Sequence, residues 1–280
     1  LRSITEIKSP RCLQRRFARA PRHAALAGSA LISLPVISWH EEDRFWVTVR
    51  DGVFDSVRWK TARREVDSIV RMVGLQPGQA VLDIPCGPGR HLLHFAERGF
   101  RVTGVDATRD YLREAEHRLA GLPAELICDD MRSFVRERAF DLVVNLYTSF
   151  GYFDDPRDDA QFLLNVHESL RPGGRLVLEL LTRETATAGE TTSCERVGDD
   201  GSHLTEWAKL SEDASAIERH FVVDRDGERL EFIAEHRLYG VRELMSLLER
   251  VGFRRVAVFG DLDGRPLTAA STFVVLIATR

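Results

Sequence analysis

Apolar residues first recur at helical spacing over residues 54–73, where Val57, Ala62, Val66, Ile69, Val70 and Val73 share a face. Gly74 ends that helix and Pro77-Gly78 marks a turn. A regular alternation follows. Short apolar runs over 80–84, 101–105, 124–128, 140–146 and 175–181 read as strands. Helical patterns over 90–98, 111–120 and 158–170 separate them, with a Pro172-Gly173-Gly174 turn before the last strand. Strands alternating with helices predict right-handed crossovers and a parallel sheet covered on both faces.

The pattern changes after Thr182. Asp200-Gly201 and Asp226-Gly227 each sit between strand-like segments, and Asp-Gly favours the positive φ angles of a two-residue hairpin turn. The second hairpin pairs residues 216–224 with 229–239. Residues 184–239 therefore read as a small antiparallel sheet inserted late in the α/β domain. A helix over 241–251 and strands over 254–259 and 271–278 close the chain. Upstream, Trp39, Glu41-Glu42-Asp43 and Phe45-Trp46 show no period that assigns them an element.

Composition narrows the class. With 280 residues, 44% hydrophobic and 29% charged, the chain can build one large core. Residues 1–36 carry seven Arg or Lys against Glu6 alone; the rest holds 32 basic and 42 acidic side chains, a net charge of −10. An acidic body does not attract polyphosphate, so no nucleic-acid partner is expected. Within the first 36 residues a basic stretch precedes a small-residue apolar stretch broken by Pro35, which reads as a disordered or targeting extension to a domain over 37–280. Cys12, Cys86, Cys128 and Cys194 show no C-x-x-C spacing, which argues against structural zinc or a disulfide framework and fits a reducing, cytoplasmic setting. No apolar run of about 20 residues predicts a membrane span. His91 and His94 have i, i+3 spacing without an evident third ligand, so no metal is expected.

Chemistry concentrates in residues 81–90, V-L-D-I-P-C-G-P-G-R. A strand delivers Asp83 to a loop containing Gly87 and Gly89, and a helix follows. Glycine lets that backbone bend sharply and approach a ligand, while the helix N-terminus supplies free N–H groups. The dinucleotide fingerprint fails, because Leu92 occupies its third glycine position. Asp83 suits an ammonium or sulfonium better than a pyrophosphate. The second strand ends in Asp106, 19 residues past Gly87, placed to accept two ribose hydroxyls. The third ends at Asp129-Asp130-Met131, where a carboxylate can accept from an adenine amino group and Met131 can pack on the ring.

These motifs, with residues 145–152 and Pro172-Gly173-Gly174, resemble in order and spacing those of class I S-adenosylmethionine (SAM)-dependent methyltransferases. Residues 39–43, 149–152 and 259–261 resemble a bacterial small-molecule subgroup similar to sugar and amine N-methyltransferases. The resemblance spans about residues 39–280. It departs at Pro85, where most members carry Gly. It implies a doubly wound, mostly parallel seven-stranded α/β sheet, SAM as cofactor and a small-molecule acceptor methylated by in-line displacement. By position, Asp83, Pro85, Gly87 and Gly89 would hold the methionine portion, Asp106 the ribose, Asp130 and Met131 the adenine. Asn145 and Leu146 would line the methyl-transfer end. Tyr147 and Tyr152 are either packing aromatics or substrate contacts. His236 shares a face with Leu230, Phe232, Ala234 and Leu238, and is either a hydrogen-bonded core histidine or a pocket residue. A non-catalytic SAM-binding protein and an NAD-dependent oxidoreductase stand as rival readings, and a homodimer is left open.

Overall fold

The run Ala80–Asp83 is β1 and lies at the centre of a sheet with β4 (Phe140–Asn145) on one side and β2 (Arg101–Asp106) on the other, both parallel to it. This computed structural model describes residues 39–186, 192–198 and 200–280; the expected extension over 1–36 lies outside them. With β3 (Ala124–Cys128), β5 (Leu170–Leu180), β10 (Arg254–Phe259) and β11 (Val274–Thr279), the strand order is β10-β11-β5-β4-β1-β2-β3. Within this sheet, among the described residues, β11 runs antiparallel to both its neighbours, β5 and β10, and the other pairings are parallel. The order reverses direction between β1 and β4, and the carboxyl ends there open the crevice where ligands enter such sheets.

Side-chain alternation explains the layering. Leu82, Ile84, Val143, Leu176 and Leu178 pack on one face with α5 (Pro156–Ser169) and α6 (Val241–Val251). Val81, Leu142, Val144 and Val177 pack on the other with α2 (Ser56–Val73), α3 (Arg90–Glu97) and α4 (Arg109–Arg118). Pro156 at the start of α5 and the Asp155 carboxylate, which accepts from Arg157 N–H, set that helix's origin two residues before the periodic pattern does. The Pro172-Gly173-Gly174 turn is a bulge inside β5. Phe140 pairs with Leu170 and Leu142 already with Arg175, so β5 carries extra residues there.

The helix expected over 54–73 starts later, at Ser56, because Asp55 caps it by accepting from Arg58 N–H. The unassigned segment before it forms a short 3-10 turn, Trp39–Glu41, and α1 (Asp43–Val53). It could not be read because its apolar face is not buried on the main sheet. Phe45 and Val49 pack against Leu204, Phe221, Val223 and Ala234 of the insert.

That insert is a four-stranded antiparallel sheet in the order β6 (Thr192–Val197), β7 (His203–Leu210), β8 (Ala216–Arg225), β9 (Glu228–Arg237). Asp226 and Gly227 take φ of 52° and 82°, the two-residue turn their identity predicts. β9 is tied to the loop after β4: Arg237 N–H donates to Gly151 O, and a Cβ on Gly151, at φ 98°, would lie 2.6 Å from Arg237 O. A side chain at 151 would push the insert off the main domain. Among the described residues no helix is long and apolar enough to cross a membrane.

Candidate functional site

At the carboxyl ends of β1, β2, β3 and β4 lies a cavity of about 500 Å³, a size suited to a small ligand. Its floor is the loop after β1, its roof is Trp39, Phe45 and Trp46, and one wall is the inner face of the insert.

Asp83 lines the cavity and is 2% exposed, and its Oδ2 has no hydrogen-bond partner. Burial pushes its carboxyl up to about 8, Arg90 opposing and Asp106 reinforcing the shift. A buried carboxyl with an unpartnered oxygen and a raised pKa is suited to meet a cation. Asp106 receives Gly87 N–H at Oδ2 (2.7 Å) and Thr108 N–H at Oδ1 (2.8 Å), so it braces the glycine loop against β2. Burial raises it to about 6, and those two amides hold it lower than burial alone would. Each oxygen keeps a lone pair for a further donor. Gly87, at φ 53°, presents bare backbone to the cavity; a Cβ there would meet the Phe54 ring at 3.1 Å. Pro85, Met131 and Leu146 also line the wall.

Three expected site residues sit differently. Gly89 caps α3, and a Cβ on it would crowd Ala115 at 3.0 Å, so its service is to let α3 pack on α4. Asn145 is fully buried below the floor, its amide donating to Ile84 O (2.8 Å). Asp130 lines the cavity, but Arg132 grips its carboxylate through Nε (3.0 Å to each oxygen) and reaches Glu41 of the roof with Nη2 (2.7 Å). Burial works to raise Asp130, and the Arg132 hydrogen bonds outweigh it and hold the carboxyl below its usual value.

The three candidate catalytic side chains all line the cavity. Tyr147 lies under two guanidinium groups, Arg58 at 4.9 Å and Arg90 at 5.3 Å from its ring. Tyr152 packs edge-on against Trp39 (4.7 Å) and His236 (4.8 Å), and burial raises its phenol to about 12. His236 is 4% exposed with Nε2 3.0 Å from Phe150 O. A carbonyl only accepts, so Nε2 carries the hydrogen and Nδ1 keeps its lone pair. Burial, with Arg219 adding to it, lowers this imidazole to about 3 and keeps it neutral.

Several lining residues escaped the sequence reading. Arg90 is buried at the first position of α3, where a cation opposes the helix dipole; its Nη1 donates to Glu65 (3.0 Å) and Arg58 O (2.9 Å). That misplaced charge was a usable signal. Arg196, Glu206 and Arg219 form a charged row on the insert's inner face: Arg196 donates to Glu206 at 2.8 Å, and Arg219 stands 3.4 Å from it. Their signal was charge at alternating positions shared with Leu204 and Phe221. Among the described residues no group of three His, Cys, Asp or Glu is placed to hold a metal; His91 and His94 instead meet Glu65 (2.8 Å) and Glu97 (3.0 Å).

Residues 81–174 match the methyltransferase domain family. Over those residues the chain carries a methyltransferase domain, and its fold and crevice are similar to those of class I, Rossmann-like SAM-dependent methyltransferases. It is 28% identical over 217 residues to dTDP-3-amino-3,4,6-trideoxy-alpha-D-glucopyranose N,N-dimethyltransferase of Streptomyces venezuelae, covering 75% of this chain and 91% of that one. Its fold is similar to SAM-bound CalS10, an amino pentose methyltransferase of Micromonospora echinaspora, at TM-score 0.64 and 23% identity, covering 92% and 99% of the two chains. A SAM-dependent methyltransferase of Clostridium acetobutylicum aligns at TM-score 0.68 and 16% identity, over 84% and 96%.

Proposed function

We propose that this enzyme methylates the amino group of a small, sugar-like acceptor by direct in-line transfer. The observation that carries the reading is neutral His236, whose Nε2–H is committed to Phe150 O while the ring lines the cavity. Its Nδ1 lone pair can accept an amine N–H and aim the nitrogen's own lone pair at the donor carbon. The curated relatives support an amine, since two that it resembles are named as amino-sugar N,N-dimethyltransferases.

When bound, SAM supplies an already activated methyl group. The residues need only bind, align and exclude water. Asp83 would pair with the α-ammonium, and Gly87 and Pro85 would border the methionine chain. Asp106 would accept the ribose hydroxyls. Met131 would pack on the adenine, with the Asp130–Arg132 pair at its edge. Trp39, Phe45 and Trp46 would close the roof. Gly89 and Asn145 act through the loop and the floor they hold. Tyr147 and Tyr152 flank the acceptor. Arg196 and Arg219 outnumber Glu206 by one charge, so this wall favours an acceptor bearing an anionic group.

An imidazole lowered to about 3 is too weak to strip an ammonium, so the acceptor must arrive as free amine. With cofactor saturating, the expected pH profile therefore rises toward the amine's own pKa, and His236→Ala should remove no inflection from it. His236→Ala should cut kcat about tenfold, the worth of one positioning hydrogen bond. The test is methyl transfer, read by mass, to free amino sugars, nucleotide-linked amino sugars, phenols and peptides. Transfer to the amines supports the proposal; transfer confined to phenols or peptides overturns it. Arg219→Ala should raise KM for a phosphate-bearing amine about tenfold and leave a neutral one unchanged.

The rival NAD reading meets two obstacles. Leu92, fully buried, fills the space a third glycine would leave, and Asp83 would face a pyrophosphate with a carboxylate.

A further inference from the structure

Beyond Asn145 the chain leaves β4 through Tyr147 and Thr148, at φ 64° and 61°. Two adjacent non-glycine residues in the left-handed region are strained and persist only where their surroundings enforce them. Both amides of this turn go to one residue. Tyr147 N–H donates to Glu179 Oε2 (3.1 Å), and Thr148 N–H donates to Glu179 O (3.0 Å). Glu179 lies on β5, one residue past the Leu178 that pairs with Asn145, so it stands beside the point where β4 departs. The side chains of Tyr147, Thr148 and Ser149 line the cavity; Glu179 stands behind them and does not.

We propose that Glu179 is a positioning residue for methyl transfer: its carboxylate and its carbonyl together hold the Tyr147–Thr148 turn in the left-handed form that presents Tyr147 and Ser149 to the acceptor. The inference rests on reading that end of the cavity as the acceptor half. A glutamate is used because β5 supplies the carbonyl for one amide and only a side chain of this length returns to the other. Burial, reinforced by Glu65, pushes the carboxyl up to about 7. Either protonation state keeps an acceptor oxygen, so glutamine is a close replacement.

The test compares Glu179→Gln, Glu179→Ala and Glu179→Met in the full chain. Turnover is measured on whichever acceptor the wild type uses, S-adenosylhomocysteine affinity by calorimetry, and amide exchange over residues 146–150 by mass spectrometry. Glu179→Gln should stay within about threefold of wild type throughout. Glu179→Ala and Glu179→Met should lose about 10- to 100-fold in kcat with cofactor-product affinity little changed, and the turn amides should exchange at least about tenfold faster. Thr148→Gly in the Glu179→Ala background should restore part of kcat, because glycine holds positive φ without strain. Equal losses in Gln and Ala, or a loosened turn with wild-type kcat, overturn the proposal; so does failure of both Ala and Met to fold, which would make the contact a folding requirement. Should the wild type prefer a phenol, the amine reading fails while this series still runs on that phenol. Should it methylate nothing, the exchange comparison decides: unchanged exchange in Glu179→Ala rejects the role.

Discussion

Asp106→Ala should weaken S-adenosylhomocysteine binding on the order of 10²- to 10⁴-fold, the value of two hydrogen bonds to a charged acceptor. Two effects combine. The ribose hydroxyls lose the carboxylate, and the Gly87 and Thr108 amides lose their acceptor, so the loop loosens as well. Asp106→Asn keeps one acceptor oxygen and should fall between the two. Calorimetry reads the affinity directly, and a change under about threefold for Asp106→Ala would remove Asp106 from the site.

Asp83→Asn should separate stability from binding. In the ligand-free protein Asp83 is buried with an unpartnered oxygen and a carboxyl pushed up to about 8. The native state then holds a proton that the unfolded chain has already released above its ordinary value of 3.8. Between those two values unfolding releases a proton, so the free protein loses stability as pH rises toward about 8. Asparagine removes that slope. The variant should match wild type near pH 4 and become more stable, by on the order of 5 kcal/mol, near pH 8. Its affinity for the cofactor product should fall on the order of 10²- to 10³-fold, because a buried ammonium loses its counter-charge. Thermal melts across pH and calorimetry would check the pair of effects; a variant that loses stability and keeps affinity contradicts both arguments.

The wild-type counterpart is proton release. A cation bound beside Asp83 lowers its pKa, so binding at pH 7 should expel about one proton. Titrations in buffers of different ionisation enthalpy would detect it, and identical apparent enthalpies would count against Asp83 as the ammonium's partner.

The main sheet was legible because its strands are short, apolar and punctuated by Gly and Pro, and Asp226-Gly227 announced its own turn. Asp83 and Asp106 were legible because strand ends and glycine spacing place them independently of packing. What escaped was whatever depends on contacts distant in sequence. The helical form of the segment that carries the roof could not be read, because Phe45 and Val49 find their partners on the insert, more than 150 residues on. Asn145 was expected at the wall, yet one amide bond to Ile84 O keeps it in the floor. Asp130 reads as a free carboxylate until Arg132 and Glu41 are brought beside it. The strain at Tyr147 and Thr148 has no sequence mark, since neither residue favours the left-handed region.

The most direct measurement is the crystal structure of the complex with S-adenosylhomocysteine. The account predicts the α-ammonium within hydrogen-bond distance of Asp83, the ribose hydroxyls on Asp106, and an open acceptor space bounded by Tyr147, Tyr152 and His236. A ligand seated away from Asp83 and Asp106, or an acceptor space filled by the protein's own side chains, would contradict it.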